Sequence, residues 1–344
     1  MHGHALDALE RFFEQIPRAH EREAQVVFPA RAERRSGNGG YAWLQPDGSW
    51  GWSNAGLIAD SGESMLVDTL FDLKLTGEML DGMRRAEPRA AARIGALVNT
   101  HSNGDHTFGN QLVSGAEIIA SKACAEEMVN EGGAKRLADM KRNAQPTSAA
   151  GQFLAEIFAP FDFEGIDVPM PTLTFEGELT RRVGGKMVRL IQVGPAHTGG
   201  DVLVYVPADR VLFTGDMLFI NGHPIIWAGP VGNWIKACQL MLDLDVETIV
   251  PGHGPVTDKR GAAAVKAYLE YIEREARRRY DAGMSAADAA RDISLADFSS
   301  WGDAERIVIN VVTLFREFAG GKPEMSIRAD LFGLMAELRA SRRQ

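Results

Sequence analysis

Apolar residues are grouped along residues 41–250 in short runs closed by glycine or polar turns, and beyond 258 in long stripes at helical spacing. Ahead of both, Leu6, Leu9, Phe12, Phe13 and Ile16 predict an amphipathic helix over 5–17, and the charged, glycine-rich 31–40 a surface loop. The segment YAWLQPDGSWGWSNAGLIADSGESMLVDTLFD alternates apolar runs with turn signals, which reads as two or three strands of a meander. It ends in the buried run Met65–Val67, then Asp68. Leu73, Leu75, Met79, Leu80 and Met83 form the stripe of a helix over 73–86. A strand at Ile94–Val98, a helix near 107–113, a strand at Glu117–Ala120 and a helix from Ser121 follow. Apolar runs at 187–193, 202–206 and 210–213 predict three strands, with a helix at 233–243 and a strand at 248–250 after them. The remainder reads as helices over 261–281, 285–293, 303–319 and 327–340, with Ser285 as an N-cap. The order of elements implies a layered α/β sandwich followed by a helical extension.

Residues 131–180 fit this scheme less well. They are polar and helical at first, then rich in proline and phenylalanine, as expected of a lid or binding-site wall. Trp43, Trp50 and Trp52 serve either packing or a pocket wall.

Composition removes several classes of function. The 344-residue chain has a net charge of −9, which disfavours nucleic acid and anionic membranes as partners. No stretch approaches the ~20 apolar residues of a membrane span, and the first residues lack the apolar core of a signal peptide. With only Cys124 and Cys238, no disulfide framework is implied, and a cytoplasmic location is expected.

The chemistry-bearing residues gather where apolar runs end. The first strand empties into THSNGDHTFGN, where His101, Asn103, Asp105 and His106 lie within six residues. Imidazole and carboxylate on one tight loop are a donor set that zinc and iron accept. Three more runs lead to His197, Asp216 and His253, each beside glycine. Ligands at the ends of several strands of one sheet converge on one edge, where open α/β folds carry their sites. Phe108, beside the first loop, and His223 and Trp227, in the loop after Asp216, are candidate substrate contacts; with Phe219, Ile225 and Ile226 they suggest an apolar mouth.

Taken in order, THSNGDH, GPAHTGGD, FTGD and VPGHG resemble the metal-binding motifs of the metallo-β-lactamase superfamily, and MLVDT resembles its usual lead-in. The resemblance covers roughly residues 50–256. It implies a four-layer αβ/βα sandwich, in a catalytic domain set at 1–257; the helices at 258–344 lie beyond the family's core, and their apolar stripes are expected to pack on the sandwich, roof the active site or form a dimer interface. It implies a first metal position at His101, residue 103 and His197, a second at Asp105, His106 and His253, and Asp216 bridging both. Asn103 stands where the family usually has histidine, and a neutral amide oxygen is a poor zinc ligand beside imidazole. One tightly bound Zn2+ at the second position and a weak first position are therefore expected, with iron as an alternative metal.

The expected reaction is hydrolysis by a metal-bound hydroxide of a small, fairly apolar ester, lactone, amide or activated halide. His101, Asn103, Asp105 and His197 are the expected catalytic groups, and the expected assembly is a homo-oligomer. A non-haem iron oxygenase on the same fold and a ligand binder with a partly decayed site are the competing readings.

Overall fold

The computed structural model describes residues 25–27, 39–45, 48–130, 133–144, 147–321 and 331–342. The helix expected over 5–17 lies outside them. Two sheets organise the rest. The first has seven strands in the order β1-β2-β3-β4-β5-β6-β7: Gln25–Val27, Gly39–Leu44, Ala55–Asp60, Glu63–Val67, Ala96–Val98, Glu117–Ser121 and Leu173–Phe175. Strands β2 to β4 pair antiparallel, as the meander pattern predicts, β1 adds antiparallel to β2 from ahead of that segment, and β4 to β7 pair in parallel. The second sheet runs β12-β11-β10-β9-β8, from Glu178–Val183 (β8), Lys186–Gln192 (β9), Val202–Val206 (β10), Val211–Phe213 (β11) and Thr248–Val250 (β12).

The layering follows from period-two alternation. Ile58, Met65, Val67, Val98 and Ile119 on the first sheet meet Val188, Leu190, Val202, Val204 and Phe213 on the second in one buried layer. Their sequence neighbours face outward. Leu57, Leu66 and Leu97 pack under α1 (Leu73–Ala86) through Met79, Leu80 and Met83. Leu203, Leu212 and Ile249 share a cluster with the helices on the far side of the second sheet. The result is helix, sheet, sheet, helix.

The expected helix near 107–113 is two shorter pieces, an α-turn at Gly104–Thr107 (α2) and a 3-10 turn at Asn110–Leu112. The helix after β6 spans Lys122–Asn130 (α3). The ambiguous 131–180 segment holds helices at Gly133–Asn143 (α4) and Ala149–Phe158 (α5), an irregular stretch, and then β7 and the start of β8. It therefore completes an edge of each sheet. Helix α6 (Val231–Asp243) precedes β12.

The C-terminal helices are Lys259–Asp281 (α7), Ala286–Asp292 (α8), Ile307–Phe318 (α9) and Leu331–Arg342 (α10). The Ser285 side chain accepts from the Asp288 amide, as an N-cap does. Val265, Tyr268, Leu269, Ile307, Val311, Leu314 and Leu338 belong to the same buried cluster as Leu203, Leu212 and Ile249. These helices thus share a core with the second sheet. Among the described residues no helix is long and apolar enough to cross a membrane, and the buried Cys124 and Cys238 form no disulfide.

Candidate metal centre

Strands β4, β5, β11 and β12 end at one edge of the sandwich, and the residues just beyond them meet there. Asp216 sits in a 3-10 turn after β11. Its Oδ1 lies 3.0 Å from His106 Nε2 and 3.3 Å from His253 Nε2. Its Oδ2 lies 3.3 Å from His197 Nε2 and 3.7 Å from His101 Nε2. Asp105 Oδ2 is 3.3 Å from His253 Nε2 and 3.9 Å from His106 Nε2. All four imidazoles are buried. One carboxylate at the centre of four rings needs room, and two glycines provide it. A Cβ on Gly252 would overlap Asp216 Oδ1, and Gly215, at φ +49°, lies against the Thr100 hydroxyl.

Each imidazole is oriented through its other nitrogen. His106 Nδ1 is 2.9 Å from Asp68 Oδ2. The Thr100 hydroxyl donates to that same Oδ2 at 2.7 Å and lies 3.0 Å from His101 Nδ1, and the Thr100 amide donates to Asp68 Oδ1. His197 Nδ1 donates to the Ile225 carbonyl at 2.7 Å, and His253 Nδ1 to the Gly48 carbonyl at 3.0 Å. Carbonyls and carboxylates behind the ring fix the tautomer and leave Nε2 facing the centre, the usual arrangement of metal-ligating histidine. Asp68 holds its place at φ +61°, a left-handed conformation that costs a non-glycine residue of order 1 kcal/mol.

The rings divide electrostatically. Burial lowers the pKa of His101 far below the usual imidazole range, reinforced by neighbouring His106, and burial lowers that of His197 too. Burial opposes charge on His106 and His253 as well. There the carboxylates prevail: Asp216, Asp105 and Asp68 raise His106 well above its ordinary value, and Asp216 and Asp105 raise His253 to about 9. Asp216 is pulled far below the ordinary carboxylate range by His253, His106 and His101, against the effect of its own burial. His101 Nε2, His106 Nε2 and Asp216 Oδ1 are buried and make no well-formed hydrogen bond among the described residues. Buried polar atoms are seldom left so, and three aimed at one point fit a cation. Two donor groups that can hold an ion, His101–His106–Asp216 and Asp105–His106–His253, share His106.

Asn103 occupies the N-cap position of α2 but makes no side-chain cap. Its amide terminus lies 2.7 Å from His197 Nε2 instead. The structure thus brings together all seven residues that the motifs single out.

The candidate substrate contacts fare differently. Trp227 is exposed, and its amide donates to the His197 carbonyl at 3.0 Å, so it stands at the rim. Phe108 does not line the mouth. Its ring is buried at 5.7 Å from Phe71 and 6.1 Å from Phe163, and it fills the space where a side chain on Gly104 would go. His223 is also displaced from the expected role. It is fully buried, with Tyr268 at 5.3 Å and Trp301 at 5.7 Å, and Nδ1 donates to the Gly302 carbonyl. Burial lowers its pKa to about 4. It fastens its loop to the C-terminal helices.

Several supporting residues have little or no sequence signal. The Ser53 hydroxyl donates to the Asp105 carbonyl. Glu127 on α3 accepts from the Ser102 hydroxyl at 2.9 Å and the Gly199 amide at 2.7 Å, joining the His101 and His197 loops. Asp68 was marked by its place closing a buried strand and by the MLVDT resemblance, neither of which shows its partners.

A sequence description of the metallo-beta-lactamase superfamily matches residues 48–253, more than half of the chain and every residue of the centre. The chain belongs to the metallo-beta-lactamase superfamily. Among curated superfamily relatives, the "Beta-lactamase-like protein 2 homolog" of Caenorhabditis elegans is 32% identical over 226 residues, covering 66% of this chain and 62% of that protein. A hydroxyacylglutathione hydrolase of Methylococcus capsulatus is 27% identical, covering 53% of this chain and 59% of its own. The alpha subunit of a 2,4-dinitroanisole O-demethylase from Nocardioides is 26% identical, covering 62% and 55%. The chain therefore spans less than two thirds of each of these relatives. In fold it is similar to a metallo-beta-lactamase from Pontibacter korlensis, with TM-score 0.53, 18% identity, and coverage of 72% of this chain and 99% of that one. A sec-alkylsulfatase from Pseudomonas matches a larger share of this chain, 89%, and 52% of its own, with TM-score 0.65 and 16% identity.

Proposed function

We propose that this chain is a metal-dependent hydrolase acting on a small, fairly apolar molecule. The observation that carries the reading is the ring of four imidazoles around Asp216, with Nε2 of each turned inward and three buried polar atoms that make no well-formed hydrogen bond among the described residues. Asp105, His106, His253 and Asp216 would hold the tighter ion, for which zinc is the expected metal. His101, Asn103 and His197, sharing Asp216, would form the weaker position. A divalent ion held there lowers the pKa of water toward ~7 and polarises the bond under attack.

The uneven occupancy rests on the contact between Asn103 and His197. The Ile225 carbonyl can only accept, so His197 Nδ1 carries the ring proton, and burial keeps the ring neutral. Nε2 is then a lone pair. An amide oxygen facing it at 2.7 Å is two acceptors aimed at one point, which requires a cation between them. The amide turned about its last bond, which keeps the same outline, instead donates its NH2 to Nε2. That hydrogen bond must be broken before His197 can bind a metal. His253 Nε2 instead faces Asp105 Oδ2 and Asp216 Oδ1, both at 3.3 Å, two carboxylates that would share its ion. The neutral His101 ring then offers an acceptor nitrogen to orient an attacking water, His197 does so once the Asn103 amide turns away, and the Asn103 NH2 can donate to negative charge developing on the substrate.

The apolar character of the substrate is supported by the surroundings. The Phe219 ring stands 4.8 Å from His253 and 5.8 Å from His197, and the half-buried Trp50 and Trp52 pack on the apolar cluster that holds it. Metal analysis after dialysis tests the centre: one retained equivalent of zinc is expected, and two that resist dialysis would overturn the uneven reading. A panel of chromogenic esters, lactones, thioesters, β-lactams and haloaromatics, with and without chelator, tests the reaction. It should include 2,4-dinitroanisole, because one relative is named for it. Turnover indifferent to chelator would sink the hydrolase reading. A preference for iron in protein made without added zinc would favour an oxygenase.

A further inference from the structure

We infer that the C-terminal segment 303–313 is the outer support of the metal centre, positioning His197 and His253 through the two backbone carbonyls that orient them. The inference rests on the reading of those histidines as metal ligands and goes beyond it to residues outside the superfamily match.

The carbonyl that orients His197 belongs to Ile225, and α9 holds the peptides on both sides of it. Asn310 is fully buried. Its Oδ1 accepts from the Ile226 amide at 2.8 Å, and its Nδ2 donates to the Pro224 carbonyl at 2.9 Å. Because the Ile226 amide can only donate and the Pro224 carbonyl can only accept, these two fix which end of the Asn310 amide faces each partner, and the same Nδ2 also donates to the Tyr268 hydroxyl at 3.0 Å. One turn along α9, the Thr313 hydroxyl donates to the Ile226 carbonyl at 2.8 Å. Residue 225 is thereby gripped before and after, with its own carbonyl left for His197.

The carbonyl that orients His253 belongs to Gly48, and the residues just before α9 hold the next two positions of that loop. The Ser49 hydroxyl donates to Asp303 Oδ1 at 2.7 Å, and Trp50 Nε1 donates to Glu305 Oε1 at 2.9 Å. The same segment also reaches His253 through its ring face. Phe219 stacks on His253 with centroids 4.8 Å apart and planes 6° from parallel. The buried Arg306 guanidinium lies 5.0 Å from the Phe219 ring and 4.6 Å from the Trp50 ring, paired with Asp303 at 3.1 Å. A cation over both rings holds Phe219 and Trp50 together behind the histidine.

These are positioning residues, because none touches the centre. The test separates their hydrogen bonds from their packing. Thr313→Val and Ser49→Ala remove one hydroxyl each, whereas Thr313→Ser and Ser49→Thr keep it. Affinity for zinc is read by competition with a chromogenic chelator, and ligand geometry by the visible absorption of the cobalt-substituted protein. Thr313→Val and Ser49→Ala should each weaken binding by about 10-fold, the low end of the effect of losing an outer partner, and shift the cobalt bands. Thr313→Ser and Ser49→Thr should bind as the unaltered chain does. Asn310→Ser should weaken binding by up to about 100-fold, compared at temperatures where the metal-free protein is still folded. Affinities within twofold of the parent in Thr313→Val and Ser49→Ala would overturn the inference while leaving the centre intact. A parent chain that binds no zinc or cobalt would instead overturn the reading of the centre itself.

Discussion

The two halves of the centre are built differently. His101 and His106 come from the first sheet and are held by side chains of that sheet, with Asp68 contacting one ring directly and the other through Thr100. The side chains that orient its two rings lie between residues 68 and 106, around parallel neighbours β4 and β5. His197 and His253 are held by main-chain carbonyls on irregular loops. A carbonyl is only as well placed as its loop, and these loops are fastened by side chains as distant as Asn310 and Asp303. The first half is a compact motif held by a carboxylate, and the second is held by neutral carbonyls and assembled from far along the chain. The charge on the rings does not divide the same way: each half has one imidazole that neighbouring carboxylates raise, His106 or His253, and one that burial lowers, His101 or His197.

Asp216 is where the halves meet, so changing it should have the largest effect. Asp216→Ala removes the one carboxylate shared by all four imidazoles and leaves them facing one another. Zinc affinity should fall by more than about 100-fold, beyond the loss expected of any outer partner, and turnover should fall with it. Retention of zinc at parental affinity by the folded variant would show that the halves bind separately.

Asp68→Asn breaks the first half alone. The amide keeps the size of the carboxylate and can still accept from the Thr100 amide, but it no longer supplies a negative charge to His106. A loss of about 10- to 100-fold in metal affinity is expected, measured by chelator competition. The left-handed backbone at 68 favours the replacement, because asparagine tolerates that region better than most residues. A loss in this variant no larger than in Ser49→Ala would erase the distinction between a charged support and a carbonyl support.

The difference between the halves also explains what was legible. Short apolar runs closed by glycine or polar turns located β4, β5, β9, β10, β11 and β12, and the ligands could be found because each follows such a run closely. The first half is local, so its motif carries nearly all of it. Only the role of Asp68 as a hub was hidden, since one carboxylate after a strand does not reveal its partners. The second half was legible at His197 and His253 and opaque behind them. Nothing local to Ile225 or Gly48 marks a carbonyl that orients a histidine. One clue existed in IVINVVTLF, where Asn310 and Thr313 interrupt an apolar helix, because buried polar side chains need partners. Phe108 and His223 were misplaced for a related reason. Proximity in sequence to a motif says little about direction, and both side chains point into the interior.

Asn103→His tests whether one residue makes the first position weak. A third imidazole would replace the amide that now meets His197 Nε2. A second zinc equivalent surviving dialysis is the expected outcome, with affinity at that position rising by about 10-fold or more. A variant that still holds one equivalent would place the weakness elsewhere, in the deep burial that lowers His101 and His197.

The smallest expected effect on the centre is that of His223→Gln, which probes only how the second half is fastened. In the folded chain burial lowers the His223 pKa to about 4, against an ordinary 6.5. As pH falls below 6.5 the unfolded chain takes up this proton and the folded chain does not, so stability is lost progressively until about pH 4. At pH 5 the loss amounts to roughly 2 kcal/mol. Glutamine can still donate to the Gly302 carbonyl that His223 Nδ1 now uses, and it does not titrate. Urea midpoints of parent and variant, compared at pH 7 and pH 5, should therefore converge or cross as pH falls, because only the parent carries this slope. Parallel losses in the two proteins would mean that His223 takes up its proton equally in both states, and the loop it anchors would then be open to water rather than packed against Tyr268 and Trp301.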